Sequence, residues 1–76
     1  MIDKILQIIR EMKPYEEIDE NTELIKSGIL DSLAIITLVN ELEDAFDIEI
    51  SDDVVRAENF INVSRIFDAL AKENCV

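Results

Sequence analysis

Apolar residues recur at spacings of three and four in three separate segments, and this periodicity commits the chain to helices. Ile2, Ile5, Leu6, Ile9 and Met12 make one stripe within residues 2–13. Projected at 100° per residue, Ile35, Leu38, Val39, Leu42 and Phe46 share one face of residues 32–46. Val63, Ile66, Phe67 and Leu70, with Ala71 at the margin, repeat the pattern behind a capping Asn62. The brief alternation Asp47-Ile48-Glu49-Ile50 is confined to a connection and predicts no strand.

Between these segments the chain carries its own stop signals. Pro14 ends the first helix, and Tyr15 to Leu30 follows as a long acidic loop. Leu24, Ile25, Ile29 and Leu30 are expected to anchor it to the core, around a single turn begun at Thr22 and closed at Gly28. Ser51 is expected to cap a short third helix with Asp52 and Asp53 in its first turn, Val54 and Val55 pointing inward. Phe60 and Ile61 close the gap before the last helix. The fold expected is all-α: a small antiparallel four-helix bundle, three main helices and one short one with a long first loop, in a single domain over 1–76.

Size and charge exclude several functions. A chain of 76 residues buries only roughly 60% of its unfolded surface and has no room for a deep active-site cleft. A net charge of −11 argues against nucleic acid and against anionic membrane, and it predicts basic protein partners. The acids Glu41, Glu43, Asp44, Asp47, Glu49, Asp52 and Asp53 form one run without a base among them. Such a run is either a solvated face or a field that steers a positive partner. No apolar span is long enough to cross a bilayer, and Met1 runs directly into the first amphipathic segment, so a cytoplasmic monomer is expected.

The chain holds no histidine and one cysteine, Cys75, which reads as an incidental thiol near a frayed terminus. Zinc sites and His-dependent catalysis are thereby removed. Asp47, Glu49, Ser51, Asp53 and Glu58 fall at the first, third, fifth, seventh and twelfth places of a calcium-loop window. Asp52 where the turn needs glycine and Val55 at the ninth place spoil that reading, so no metal site is expected.

Ser32 stands where the loop containing the only glycine meets the second apolar segment. As a nucleophile of its own it would need an adjacent base, and Lys26 is the only base in the loop leading to it. As a helix cap it competes with Asp31, and Ala34 and Ile35 stand where a capping box would place Glu or Gln. If Asp31 takes the cap, the Ser32 hydroxyl is free. Leu33 projects nearly opposite the core face and Ile36 lies on its flank, which makes them candidate docking residues beside the serine.

The run Gly28-Ile29-Leu30-Asp31-Ser32-Leu33, followed by an apolar helix ending in Glu43-Asp44-Ala45-Phe46-Asp47-Ile48-Glu49-Ile50, resembles an acyl carrier protein along essentially the whole chain. The resemblance implies that Ser32 receives 4′-phosphopantetheine from coenzyme A through a separate phosphopantetheinyl transferase. Asp31 would help that transferase recognise the site. Leu33 and Ile36 would dock into apolar hollows of partner enzymes, and Glu41, Glu43, Asp44, Asp47, Asp52 and Asp53 would meet Lys and Arg around them. Loading ligases, acyltransferases and condensing enzymes are the partners implied. The protein would then be a carrier with no catalytic residue.

Ala34 and Thr37 replace acids that carriers of housekeeping fatty-acid synthesis place early on this helix, and Asn40 replaces a bulky apolar residue. These departures point to a specialised member, and the alternative cargo is an aminoacyl group, as in D-alanyl carrier proteins loaded by an adenylate-forming ligase. The alternative outside the class is an unmodified acidic helical module that binds a basic partner.

Overall fold

The computed structural model describes residues 2–72, so Cys75 and its expected role lie outside the described residues. Three α-helices occur: α1 (Ile2–Met12), α2 (Ser32–Phe46) and α3 (Val63–Lys72). One 3₁₀ turn, Ala57–Phe60, precedes α3, and no strand occurs among the described residues. The expected all-helical bundle is therefore the fold found.

α1 packs against both α2 and α3, and the 3₁₀ turn packs against α3. This central position gives α1 a wider buried face than a single stripe. Ile8 is buried beside Ile5 and Ile9, whereas Ile2, Leu6 and Met12 are only half-buried. The last helical bond of α1 runs from the Lys13 N–H to the Ile9 carbonyl at 2.9 Å, and the following Pro14 disfavours another helical residue before it.

Both ends of α2 are closed locally. At its start the Asp31 carboxylate accepts the Ala34 N–H at 2.8 Å. At its end Asp47 adopts a left-handed conformation (φ 53°), and the Ile48 N–H returns to the Glu43 carbonyl at 3.2 Å. That is the Schellman arrangement, with Asp47 in the place glycine usually takes. Ile35, Leu38, Val39 and Leu42 are buried as the projection predicts, while Phe46 is half-buried at the last residue of the same face.

The long loop is ordered by bonds of its own. Asp19 and Thr22 lock a small turn: the Thr22 hydroxyl accepts the Asp19 N–H at 2.8 Å and donates to Asp19 Oδ1, which also takes the Asn21 N–H. Thr22 thus closes one turn instead of beginning the next, and the turn ending at Gly28 follows over residues 24–28. Gly28 (φ 81°) is needed there because its backbone is left-handed. Arg10 reaches from α1 to the Ile18 carbonyl with two bonds, at 3.0 and 2.7 Å. Ile18, Leu24, Ile29 and Leu30 are buried, with Ile25 half-buried against them.

The segment between α2 and α3 departs from expectation. Residues 52–54 form one turn, with the Val54 N–H on the Ser51 carbonyl at 3.0 Å, and no helix starts at Ser51. The Val54 carbonyl is instead taken by the Arg56 N–H at 2.8 Å and by the Asn59 side-chain amide at 2.9 Å, which diverts the chain. The short helix comes later, behind Arg56, which makes no side-chain cap. Val54 and Phe60 are buried, Val55 is half-buried, and Ile61 is exposed where it was expected to close the gap. In α3, Asn62 Oδ1 caps the Arg65 N–H at 2.8 Å, as expected. Ala69 is buried where Ala71, which is exposed, was the marginal candidate.

Candidate functional site

The N-terminal turn of α2 separates two neighbouring side chains by task. Asp31 holds the cap. Ser32 is exposed, and its hydroxyl has no hydrogen-bond partner among the described residues. The Ile35 N–H is satisfied by the Asp31 carbonyl at 2.9 Å, and the N–H groups of Ser32 and Leu33 have no protein partner among those residues. An exposed hydroxyl lies beside free backbone donors at the positive end of a helix dipole. An anion attached to that oxygen would be favoured there.

Leu33 is 74% exposed and Ile36 55% exposed, Leu33 nearly opposite the buried residues of α2 and Ile36 on their flank. With Tyr15 and Ile61 they are the large apolar side chains left in solvent among the described residues. The first turn of α2 carries no acid, and the charge nearest Leu33 at the helix mouth is that of the capping Asp31.

The acids do not all share one role. Glu41 and Asp44 are exposed on α2, and Asp52 and Asp53 are exposed in the turn that follows. Asp47 is exposed too, but its backbone terminates α2. Glu43 is half-buried, and its Oε2 accepts the Ile50 N–H at 2.9 Å, fastening the returning chain to the helix. Lys26 is exposed and lines a groove of ≈ 470 Å³ with Glu23, Ile25, Ala57, Glu58 and Ile61, between the long loop and the 3₁₀ turn.

A second groove, ≈ 390 Å³, was not legible in the sequence. It lies between the end of α1 and the first turn of α2, lined by Met12 and Lys13 on one side and Asp31, Leu33, Ala34 and Thr37 on the other. Only the pairing of α1 with α2 brings these residues together.

Helical architecture, a free serine hydroxyl at a capped helix mouth and an exposed aliphatic pair beside it define a domain suited to bearing a covalent group. Residues 3–70 match the family described as a phosphopantetheine attachment site, and the chain belongs to that family. Its members carry a covalently attached 4′-phosphopantetheine and act as carriers, not as enzymes. The chain is similar to an acyl carrier protein of Syntrophobacter fumaroxidans, 52% identical over 42 residues, a match covering 55% of this chain and 49% of that relative. The chain therefore matches about half the length of that curated relative. No solved structure matches it.

Proposed function

We propose that this chain is an acyl carrier, a single domain over 1–76 that holds acyl intermediates as thioesters on a 4′-phosphopantetheine arm attached to Ser32. The observation that carries the assignment to this residue is the division of labour at the helix mouth, where Asp31 makes the cap and the Ser32 hydroxyl stays exposed and unbonded. The serine is a substrate here. A transferase supplies base and metal, and the arm supplies the thiol chemistry while the protein supplies position and recognition.

Asp31 is part of what that transferase reads, and Leu33 and Ile36 dock the successive partner enzymes in apolar hollows. Glu41, Asp44, Asp47, Asp52 and Asp53 steer basic patches of those partners toward the arm, with encounters that are fast, reversible and salt-sensitive. Glu43 contributes its charge to that field from a fixed position. The setting is the cytoplasm, and among the described residues no helix is long and apolar enough to cross a membrane.

A second cargo class is favoured by one observation. The first turn of α2 has no acid, and Ala34 is half-buried in the groove beside Leu33. This is a serine-end surface unlike that of housekeeping fatty-acid carriers, which supports a specialised carrier such as an aminoacyl carrier charged by an adenylate-forming ligase.

Intact mass after incubation with coenzyme A, Mg²⁺ and a phosphopantetheinyl transferase tests the assignment. A gain of one phosphopantetheine in the wild type and none in Ser32→Ala is expected. No gain under conditions that load another carrier leaves the unmodified acidic module as the function. The mass of the group on the thiol in protein from its native cell distinguishes acyl from aminoacyl cargo.

A further inference from the structure

Glu43 differs from the acids around it in what its carboxylate does. Glu41 and Asp44 on α2, and Asp47, Asp52 and Asp53 after it, are exposed, whereas Glu43 is half-buried and its Oε2 accepts the N–H of the buried Ile50 at 2.9 Å. The carbonyl of the same residue accepts the Ile48 N–H at 3.2 Å. Two amides of the returning chain therefore end on one residue of α2. Beyond them the chain closes on itself. The Val54 N–H meets the Ser51 carbonyl at 3.0 Å, the Val55 N–H meets the Asp52 carbonyl at 3.1 Å, and Arg56 Nε donates to the Asp53 carbonyl at 3.2 Å. Asp52 and Asp53 thus ride on a folded turn whose approach to α2 is fastened at Glu43.

Seven acids fall between Glu41 and Asp53 with no base among them, and their mutual repulsion favours a returning chain that splays away from the helix. Glu43 opposes this with a partner that adds no charge, the backbone N–H of Ile50. A hydrogen bond to an ionised acceptor is the stronger kind. A basic patch then meets carboxylates at set spacings, and the work of bringing like charges together is done at folding instead of at docking.

We propose that Glu43 is a positioning residue: through the Ile50 amide it holds the turn bearing Asp52 and Asp53 in register with Glu41 and Asp44, so that a partner enzyme meets one preformed array. The inference rests on the reading that these acids dock basic partners. Glu43 then matters to docking by more than its own charge, and an uncharged acceptor in its place keeps the larger part of its effect.

The test uses the full chain, coenzyme A, Mg²⁺ and the transferase of its own cell, with KM for the carrier taken from initial rates of loading at low salt and circular dichroism confirming that each variant is folded at the assay temperature. Glu41→Gln and Glu43→Gln each remove one charge and are expected to raise KM about 2–3-fold, what one exposed ion pair is worth. Glu43→Ala removes the same charge and the acceptor, and is expected to raise KM about 5–10-fold with kcat unchanged, because Asp52 and Asp53 lose their register as well. The gap between Glu43→Ala and Glu43→Gln shrinks as salt rises. It also vanishes when Asp52→Asn and Asp53→Asn are both present, since nothing charged is then left on the turn to position. Asn62→Ala, which removes the cap on the Arg65 N–H and changes no charge, weakens the fold elsewhere and is expected to leave KM at the wild-type value. Equal KM values for Glu43→Ala and Glu43→Gln, a gap that survives the loss of Asp52 and Asp53, or an equal rise in Asn62→Ala overturns the positioning role while the docking surface stands. Unchanged KM in Glu41→Gln and in the Asp52→Asn, Asp53→Asn double variant overturns the docking surface and the positioning role together.

Discussion

Asp31 and Ser32 are adjacent, both are exposed, and both are residue types that cap helices, yet they should respond differently to truncation. The Asp31 carboxylate takes the Ala34 N–H at 2.8 Å, and nothing else in the turn replaces it. Asp31→Ala should cost about 1 kcal/mol, within the 0.5–2 kcal/mol seen for lost caps. In a domain of this size about 1 kcal/mol lowers Tm by roughly 4–8 °C. Asp31→Asn keeps an acceptor at the same place and should stay within about 0.5 kcal/mol of wild type. Ser32→Ala removes a hydroxyl that bonds to nothing among the described residues, so its stability change should also lie within about 0.5 kcal/mol. Thermal unfolding of the apo forms, followed by far-ultraviolet circular dichroism at one pH and ionic strength, measures all three. If Ser32→Ala melts as low as Asp31→Ala, the hydroxyl is the cap, and the argument that leaves it free for modification fails.

Other consequences follow from single contacts. Glu43→Ala should destabilise by about 1–3 kcal/mol because the amide of the buried Ile50 loses its acceptor, whereas Glu43→Gln should lose less; urea midpoints separate the pair, and equal midpoints for all three proteins would reduce Glu43 to a surface acid. Gly28→Ala meets no atom within 4 Å but must hold a left-handed backbone, so a loss of about 1–2 kcal/mol is expected without a clash. Hydrogen bonds from the Asn21 amide and the Thr22 hydroxyl hold the Asp19 carboxyl below the usual aspartate range. Its contribution is therefore complete above the unfolded-state value and is lost as pH falls through the lower folded value. The stability gap between wild type and Asp19→Ala should narrow over that acid window in denaturant titrations, and a constant gap would contradict the assignment.

Where a local signal and the tertiary fold agree, the sequence was sufficient. α2 is legible at both ends because Asp31 and the apolar period mark its start, and Phe46 closes its stripe at the other end. The same reasoning misplaced the short helix, since Ser51-Asp52-Asp53 has the look of a helix start while Ala57–Phe60 has no capping side chain to announce it. Burial of Phe60 in the shared core and the local bonds from Arg56 and Asn59 to the Val54 carbonyl determine that segment, and neither has a capping residue to announce it. Ile18 stood alone among acids and gave no period, and Ile8 became buried because α1 has neighbours on two sides. At the site, the serine and its exposed aliphatic neighbours could be found by projection. The special position of Glu43 could not, because an acid on a helix flank looks alike whether it faces water or the amide of Ile50.

The long loop is stitched to the far end of the chain: the Leu24 N–H reaches the Ile61 carbonyl at 2.7 Å, and the Ser64 N–H reaches the Glu20 carbonyl at 3.3 Å. Contacts so distant in sequence form only after the intervening chain has closed, which places the ordering of this loop late in folding. The Leu30 N–H in turn bonds the Leu24 carbonyl at 2.9 Å, one residue before Asp31. The entrance to α2 is thus tied through two successive backbone bonds to the entrance to α3. Proton exchange at the Leu24 amide becomes a reporter of whether these two ends are engaged, and a partner that pries the chain near Ile61 away from the loop would loosen the ground on which Ser32 stands without touching it.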